Sequence, residues 1–310
     1  MRNENYYLIL AGGVGAAKFV EGVAHVLDPS CLKIIVNTGD DIELFGLQIC
    51  PDLDIITYTL ASLVDEEKGW GLKDESFSCL SMLKKYYDFD WFNMGDKDLA
   101  THIFRTDLIN RGFTKTQVTE VICQKLGISA EILPMCDQKV ETYISTSQKE
   151  MHFEEYYIKY QCQPEIIDIE FKGIDESLIS KDIIKYIKEA NKIIICPSNP
   201  IVSIGTILKV KGMKEALKRV KNKSYAVSPI IQGQTVKGPA DKLMRFKGLN
   251  VSCVGVAEFY REFIGHMVID IKDRDLKPKI EDLGLKAYCF DTMMVNLEKK
   301  RELANFIIDL

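Results

Sequence analysis

Short apolar runs separated by a helical stretch open the chain. Tyr6–Leu10 is aromatic and aliphatic and ends at a cluster of glycines, and a similar run, Leu32–Val36, ends at a polar segment. Between them, apolar residues recur with helical spacing, at Phe19, Val20, Val23, Ala24 and Leu27. Two short strands joined through a helix predict a parallel βαβ unit with a right-handed crossover.

The same alternation returns in the second half of the chain. The spacing of apolar residues predicts helices over Ser180–Ala190, Lys214–Lys221, Glu258–Phe263 and Asn296–Ile308. Short apolar runs predict strands at Lys192–Cys196, Ser224–Val227, Val251–Val256 and Met267–Asp270. We therefore expect an α/β fold of the Rossmann-like, doubly wound kind, with a mainly parallel sheet.

The pattern is different in the middle of the chain. Helices mixed with loops are indicated at Lys84–Asp90, His102–Ile109 and Lys115–Leu126, and strands at Val140–Thr146 and Met151–Tyr160. We interpret 61–164 as an inserted, mostly helical subdomain, and 1–60 together with 165–310 as the Rossmann-like nucleotide-binding core.

Composition narrows the class of protein. The 310 residues are 46% hydrophobic and 27% charged, as in ordinary globular proteins, and the net charge of -5 provides no basic field for nucleic acid. The N-terminal residues do not resemble a secretory signal, and no apolar stretch is long enough to cross a bilayer. Nine scattered cysteines form no metal-binding or disulfide pattern. We expect a cytoplasmic protein without a membrane or nucleic-acid partner.

The first candidate site is the glycine cluster after the first strand. Gly12, Gly13 and Gly15 allow backbone N–H groups to approach an anion closely, and Lys18 adds a positive charge near the start of the helix. We favour a phosphate-binding loop. The alternative is a tight turn that needs glycine for its backbone conformation.

Acidic residues follow the second strand and recur shortly afterwards. Asn37-Thr38-Gly39-Asp40-Asp41 lies where an open α/β sheet binds ligands, and its carboxylates could hold Mg²⁺ against a diphosphate or bind a ribose hydroxyl. In Pro51-Asp52-Leu53-Asp54, alternate carboxylates of an extended segment would point the same way and could bind a metal or accept a proton. The alternatives are an Asx-turn with a helix cap for the first segment and a solvated loop for the second.

Further polar residues are expected to converge on the same edge. Asp96, Asp98 and His102 place two carboxylates and an imidazole in one short segment, although Asp98 could equally cap a helix. Loops that follow predicted strands also present hydroxyl, amide and backbone donors, at Ser198, Asn199, Ser203, Gly205, Ser228 and Gly238. Packing alone does not easily account for this convergence.

Taken in order, these segments resemble the 2-phospho-L-lactate transferase family nearly from end to end. No single motif is specific, but the ordered set is. The matching segments are Gly12-Gly13-Val14-Gly15-x-x-Lys18, Asn37-Thr38, Pro51-Asp52-Leu53-Asp54, Gly95-Asp96-Lys97-Asp98, Pro197-Ser198-Asn199-Pro200-x-x-Ser203-Ile204-Gly205, Ser228-Pro229-Ile230, Val236-Lys237-Gly238-Pro239-Ala240-x-Lys242-Leu243-Met244 and Gly255-Val256-Ala257-Glu258-Phe259-Tyr260.

The resemblance implies a step in the biosynthesis of coenzyme F-420. In this family a guanosine diphosphate-linked three-carbon acid donates its phosphorylated acid to the ribityl hydroxyl of the deazaflavin FO, releasing GMP, with Mg²⁺ as cofactor. Asp54 matches the family's deazaflavin-binding aspartate, and our hypothesis is that it orients or deprotonates the attacking hydroxyl. We assign Mg²⁺ to Asp41 and Asp54, and a possible homodimer is also implied.

The resemblance also suggests where the deazaflavin lies. Asn93 occupies a position at which many archaeal members have Lys or Arg in contact with the deazaflavin. The stretch from Trp91 to His102 is more similar to the bacterial branch, whose donor derives from phosphoenolpyruvate. We expect the insertion to contribute to a pocket with apolar or aromatic walls such as Trp91, Phe92 or Tyr58.

Two other functions are compatible with parts of the pattern. Relatives of this fold that sense nucleotide sugars without transfer chemistry share the glycine-rich start, so a non-enzymatic regulator is the main alternative. A nicotinamide dehydrogenase would share the strand–glycine–helix unit, but the third glycine of its fingerprint is missing.

Overall fold

The computed structural model describes residues 6–65 and 68–310. Its strands are β1 Tyr7–Ala11, β2 Leu32–Val36, β3 Ile42–Leu44, β4 Leu47–Ile49, β5 Glu131–Pro134, β6 Glu141–Ser145, β7 Glu150–His152, β8 Asp168–Lys172, β9 Lys192–Ile195, β10 Ser224–Val227, β11 Ile230–Ile231, β12 Gln234–Thr235, β13 His266–Asp270 and β14 Lys286–Phe290.

The α-helices are α1 Gly13–Ala24, α2 Pro51–Leu60, α3 Ser78–Tyr86, α4 Asp96–Asn110, α5 Lys115–Lys125, α6 Lys181–Glu189, α7 Ile204–Lys209, α8 Met213–Lys218, α9 Ala240–Phe246, α10 Cys253–Tyr260, α11 Lys277–Glu281 and α12 Leu297–Asp309. Short 3₁₀ segments lie at Pro29–Cys31, Lys221–Lys223 and Ile271–Leu276, and a π-helical turn covers Glu155–Lys159.

Seven parallel strands form the central sheet, in the order β14-β13-β10-β9-β1-β2-β5. From β1, the strands β2 and β5 follow on one side of the sheet, and β9, β10, β13 and β14 follow on the other. The prediction of a doubly wound α/β fold is confirmed. The strand order reverses between β1 and β9, and in such sheets the crevice at the carboxyl ends of these two strands is the usual ligand site.

Each face of the sheet carries its own hydrophobic core. Successive side chains of a strand point to opposite faces, so Leu8 and Leu10 of β1 enter one core and Ile9 enters the other. Helices α1, α2 and α12 supply apolar residues to the core around Ile9, and α6 to α10 supply the core around Leu8. Burial on both faces explains why the central strands are apolar almost throughout.

Two strand predictions are wrong. The run predicted as a strand at Val251–Val256 lies instead at the start of helix α10, where the Ser252 side chain caps the helix by accepting a hydrogen bond from Gly255 N–H at 3.1 Å. Short apolar runs do not distinguish a strand from a buried helix. The run at Met151–Tyr160 is a strand only at its beginning, and the π-helical turn replaces the rest.

The interval 61–164 contributes to the central sheet as well as to additional structure. Strand β5 comes from this interval and is the edge strand next to β2, while β6, β7 and β8 form a separate antiparallel sheet. The division of the chain into a core and an insertion therefore remains a prediction. Across residues 6–65 and 68–310, no helix is long and apolar enough to cross a bilayer.

Candidate active site at the carboxyl edge of the sheet

A cavity of about 900 Å³ opens at the carboxyl ends of β1, β9 and β10. Its walls come from loops of both halves of the sheet, as expected at a reversal of strand order. The predicted site residues that line it are Gly12, Gly13, Gly15, Lys18, Asp54, Asn93, Asp98, His102, Ser198, Asn199, Ser203, Ser228 and Gly238.

Other predicted residues do not line the cavity. Asn37 and Thr38 are fully buried. Asp96 binds the start of α3, where its carboxylate accepts hydrogen bonds from the backbone N–H groups of Ser78 at 3.1 Å and Cys79 at 3.0 Å. Gly205 lets α7 pack closely on the preceding turn, since a Cβ there would lie 2.6 Å from the carbonyl oxygen of Pro200.

The glycine cluster joins β1 directly to helix α1. Gly13 already belongs to the helix, with a positive φ of 72°, and Gly12 N–H donates to the Ser198 hydroxyl at 3.3 Å. A Cβ on Gly15 would lie 2.6 Å from the carbonyl oxygen of Pro197. The glycines thus meet a conformational need and a packing need, and they place the positive end of α1 at the cavity.

The two aspartates after Pro51 do not lie in an extended segment, so that prediction is wrong. Pro51 is the first residue of helix α2, a position that suits proline because its missing N–H would have no partner there. On a helix, residues two apart point about 200° apart. Asp52 therefore faces Asn37, and Asp54 faces Arg105 of α4.

Three buried carboxyl groups, Asp40, Asp52 and Glu154, form an acidic group in the cavity wall. The Asn37 amide nitrogen donates to Asp40 Oδ2 at 3.2 Å and to Asp52 Oδ2 at 2.9 Å. Burial raises the pKa of Asp52 to about 7, and burial together with the Asp52 charge raises the pKa of Glu154 to about 8. Burial and the neighbouring carboxylates raise the pKa of Asp40 well above its usual range, and within residues 6–65 and 68–310 its Oδ1 has no hydrogen-bond partner.

Asp54 belongs to a second network, which joins α2 to α4. Its carboxylate forms a bidentate ion pair with the Arg105 guanidinium. His102 Nδ1 lies 3.7 Å from Asp54 Oδ2, and His102 Nε2 lies 3.1 Å from Asp98 Oδ2 without the alignment of a hydrogen bond. The Tyr58 hydroxyl donates to Asp98 Oδ1 at 2.7 Å.

Burial and neighbouring charges shift the pKa values of the two carboxyl groups of this network, Asp54 and Asp98, in opposite directions. Burial raises the pKa of Asp54, and the Arg105 charge only partly opposes that change. Burial alone would also raise the pKa of Asp98, but His102, Tyr58 and Arg105 together hold it below its ordinary value. Perturbed carboxyl groups facing a cavity are typical of sites that move protons.

Each carboxylate predicted to bind Mg²⁺ already has a buried cation as its partner. Lys115 Nζ lies 2.5 Å from Asp41 Oδ2, and Arg105 binds Asp54. Asp41 does not line the cavity, whereas its neighbour Asp40 does. Asp54, Asp98 and His102 hold their ligand atoms within 4.8 Å of one another, but the Arg105 guanidinium would repel a cation there.

Two lysines supply positive charge to the cavity. Lys18 on α1 and Lys237 in the loop after β12 both line it. Among the residues that the structure describes, no carboxylate forms an ion pair with either of them. Partial burial of the ammonium group and the charge of Lys18 lower the pKa of Lys237. The cavity thus combines unneutralised cations with buried acids.

Aromatic side chains cover much of the remaining wall. Tyr58, Trp70 and Phe92 line one part, and Phe153 and Tyr157, whose rings are parallel with centroids 5.9 Å apart, line another. Trp91, which was predicted to line the pocket, instead packs edge-on against Phe92 with a centroid separation of 5.6 Å. Flat ligands therefore have apolar surfaces to bind.

Fold and cavity together define an α/β protein with a ligand site at the reversal point of a doubly wound sheet. The sequence model of the family described as 2-phospho-L-lactate transferase CofD matches residues 8–303. The chain belongs to this family, and the prediction of a transferase is confirmed.

Similar proteins include both kinds of transferase that the sequence suggested. A 2-phospho-L-lactate transferase of Methanosarcina acetivorans is 39% identical over 303 residues, which are 98% of each chain. A phosphoenolpyruvate transferase of Streptomyces coelicolor is 35% identical over 309 residues, covering 98% of this chain and 97% of the relative. A crystal structure of a UPF0052 family protein from Bacillus halodurans, 12% identical, has the same fold, with a TM-score of 0.64 over 98% of this chain and 99% of that chain.

Proposed function

We propose that this enzyme transfers a phosphorylated three-carbon acid, 2-phospho-L-lactate or phosphoenolpyruvate, from a guanosine diphosphate-linked donor to the deazaflavin FO, in coenzyme F-420 biosynthesis. One observation supports this most directly: a single cavity of about 900 Å³ contains buried acids, two cations and aromatic walls. That volume is near the upper end of the range for small-molecule sites, so it suits two ligands held side by side.

In the proposed reaction, Asp54 accepts a proton from the ribityl hydroxyl of the acceptor. The hydroxyl oxygen forms a bond to the phosphorus that carries the three-carbon acid, and the bond from that phosphorus to the bridging oxygen breaks. GMP leaves with the bridging oxygen. The raised pKa of Asp54 supports this role, because a general base is most effective when its pKa lies closer to the working pH.

The residues present fit a magnesium ion at Asp40 and Asp52 better than at Asp41 and Asp54. Asp40 Oδ1 is buried and finds no hydrogen-bond partner in the described part of the chain, and the Asn37 amide holds one oxygen of each carboxylate. Mg²⁺ is commonly bound by one or two carboxylates together with substrate phosphates. When bound, it would neutralise charge on the phosphate oxygens. Asp40 and Asp52 would hold it, and Glu154 lies in the same part of the cavity wall.

The donor diphosphate would lie between the start of α1 and the two lysines. Backbone N–H groups at a helix N-terminus and lysine side chains are typical ligands of phosphate. Lys18 and Lys237 meet this requirement because the described residues leave both without a carboxylate partner. For the acceptor, we propose that Tyr58, Trp70 and Phe92 bind the deazaflavin ring and that Asn93 contacts it.

The test is an assay of the purified protein with FO and Mg²⁺ and, separately, the lactyl, enolpyruvyl and glyceryl guanosine diphosphate donors. GMP release and the mass of the deazaflavin product are measured. We expect one donor to be productive, which identifies the acid. An Asp54→Asn variant should lose about 10²- to 10⁴-fold in kcat, whereas Asp107→Asn, at an exposed position on α4, should retain activity. Binding of FO or GDP without any turnover would favour a regulatory protein instead.

A further inference from the structure

Arg105 belongs to this site although the sequence pattern did not reveal it. It lies on α4, within the interval 61–164 that the sequence predicts to be a helical insertion, and only 4% of its surface is exposed. It does not line the cavity, so a ligand in the cavity meets Asp54 and not the guanidinium behind it. Its contacts nevertheless include two of the side chains that do line the cavity.

The guanidinium contacts three groups, one on β4, one on α2 and one on its own helix. Both of its terminal nitrogens donate to Asp54, with Nη1 at 3.1 Å from Oδ2. Nη1 also lies 3.3 Å from the carbonyl oxygen of Gln48 and 3.2 Å from Nδ1 of His102. A planar fork held at several points allows its carboxylate partner little freedom to rotate.

His102 lies between Arg105 and Asp98. Its Nδ1 is 3.2 Å from Nη1 of Arg105, and its Nε2 is 3.1 Å from Oδ2 of Asp98. Asp98, His102 and Arg105 lie on one face of α4, at spacings of four and three residues. This face of α4 therefore contacts the carboxylate of Asp54 on α2 through Arg105 and that of Asp98 on α4 through His102.

We propose that Arg105 is a positioning residue, which acts through Asp54 by holding its carboxylate in the orientation that receives the acceptor hydroxyl. The inference rests on the proposed function, since it needs Asp54 to handle that hydroxyl. It also explains why Asp54 would not hold the metal. Arg105 occupies both oxygens of Asp54 from one side, whereas among the residues that the structure describes no cation forms an ion pair with Asp40 or Asp52.

A double-mutant cycle on Asp54 and Arg105 tests the proposal. The variants Asp54→Asn, Arg105→Lys and the double variant are compared with the wild type for kcat and for KM of donor and acceptor. Lysine keeps the charge but cannot reproduce the bidentate geometry. Misplacing a reacting group by about 1 Å can cost about 10²-fold, so we expect Arg105→Lys to lower kcat by 10- to 100-fold. The KM of the donor should stay within about threefold of the wild-type value, because the lost interaction acts on the reacting hydroxyl and not on donor binding.

The decisive comparison is made in the Asp54→Asn background. If Arg105 acts through Asp54, adding Arg105→Lys to that variant should change kcat by less than about threefold. Losses that multiply, or a donor KM that rises with no change in kcat, would overturn the proposal. Arg111→Lys, at an exposed arginine directly after the same helix, is the control and should leave all constants unchanged.

A replacement pair of variants covers the case in which Arg105→Lys does not fold, and the wild-type result separates this proposal from the proposed function. If Arg105→Lys does not fold, Asp54→Asn is compared with Asp54→Asn/Arg105→Met, because removing both members of a buried ion pair is tolerated better than removing one. Equal kcat values support the proposal, and a further loss of more than about threefold contradicts it. A wild-type protein that forms no product with any donor would instead refute the proposed function, and the positioning role with it.

Discussion

Asn37 at the end of β2 and Asp52 in the first turn of α2 are joined by a hydrogen bond of 2.9 Å, and the same amide nitrogen reaches Asp40 at 3.2 Å. One neutral side chain therefore brings together two buried carboxyl groups that would otherwise repel each other. This relationship places a pair of acids beside the start of α1. It is the basis of the proposed magnesium site.

Replacing Asp52 by Asn should weaken Mg²⁺ binding while leaving the fold intact, since an amide oxygen can still accept the hydrogen bond from Asn37. We expect the Mg²⁺ concentration at half-maximal GMP release to rise by at least about 10-fold, because one carboxylate ligand is lost. Stabilisation by Mg²⁺ in thermal unfolding should weaken in parallel. Asp107→Asn is the control. An unchanged Mg²⁺ requirement would place the ion elsewhere.

Glu154 should make the folded protein less stable at alkaline pH. Its pKa is raised to about 8 in the folded state, so the folded protein holds this proton more tightly than the unfolded chain does. The resulting stabilisation is complete below the unfolded pKa of about 4 and is lost as the pH rises through about 8.

The variant Glu154→Gln removes this dependence because its side chain stays neutral. Its melting temperature should be close to that of the wild type at about pH 5 and higher by a few degrees at about pH 9. The exposed control Glu120→Gln should show no such trend. A difference between Glu154→Gln and the wild type that is the same at both pH values would mean that Glu154 does not titrate in this range.

Lys237→Met should weaken binding of the donor's diphosphate. We expect the Kd for GDP to rise about 10-fold, a loss of about 1.4 kcal/mol, and the salt dependence of binding to decrease because one charge is removed. Lys18→Met should behave similarly, and Lys181→Met, on α6 and outside the cavity lining, is the control. Isothermal titration with GDP at two salt concentrations measures both effects. Unchanged affinity in both cavity variants would remove the lysines from the donor site.

Gly15→Ala should destabilise the protein. The added methyl group would lie 2.6 Å from the carbonyl oxygen of Pro197, a backbone atom that can move only together with its loop. Forcing extra atoms into a packed contact typically costs about 1–3 kcal/mol. Urea unfolding measures the loss, and GDP binding shows whether the shifted loop, which carries Ser198, also affects the ligand. A variant as stable as the wild type would show that this contact can relax.

The main features of the fold could be predicted from local pattern. The glycine cluster after β1, the polar segment after β2 and the Pro197 loop after β9 each follow an apolar run, and parallel strands bring their carboxyl ends to one edge. A cavity at that edge is therefore expected from the alternation of strands and helices along the chain. The first part of the helix at Cys253–Tyr260 is predicted wrongly as a strand because its apolar run is too short for periodicity to decide, although Ser252 is a recognisable helix cap.

Which acids do which task was decided by residues far away in the sequence. Asp40 and Asp41 are adjacent aspartates that the sequence alone does not distinguish. Lys115, 74 residues later, forms an ion pair with Asp41, whereas Asp40 faces the cavity. Asp52 and Asp54 have different partners because helix α2 directs them to opposite sides, with Arg105, 51 residues beyond Asp54, binding only the second. The sequence by itself determined the layers, the strand ends and the chemical types present, because those depend on local periodicity and turn residues. Only the tertiary structure decided the charge pairs, since burial makes a carboxylate's role depend on which cation or amide packs against it.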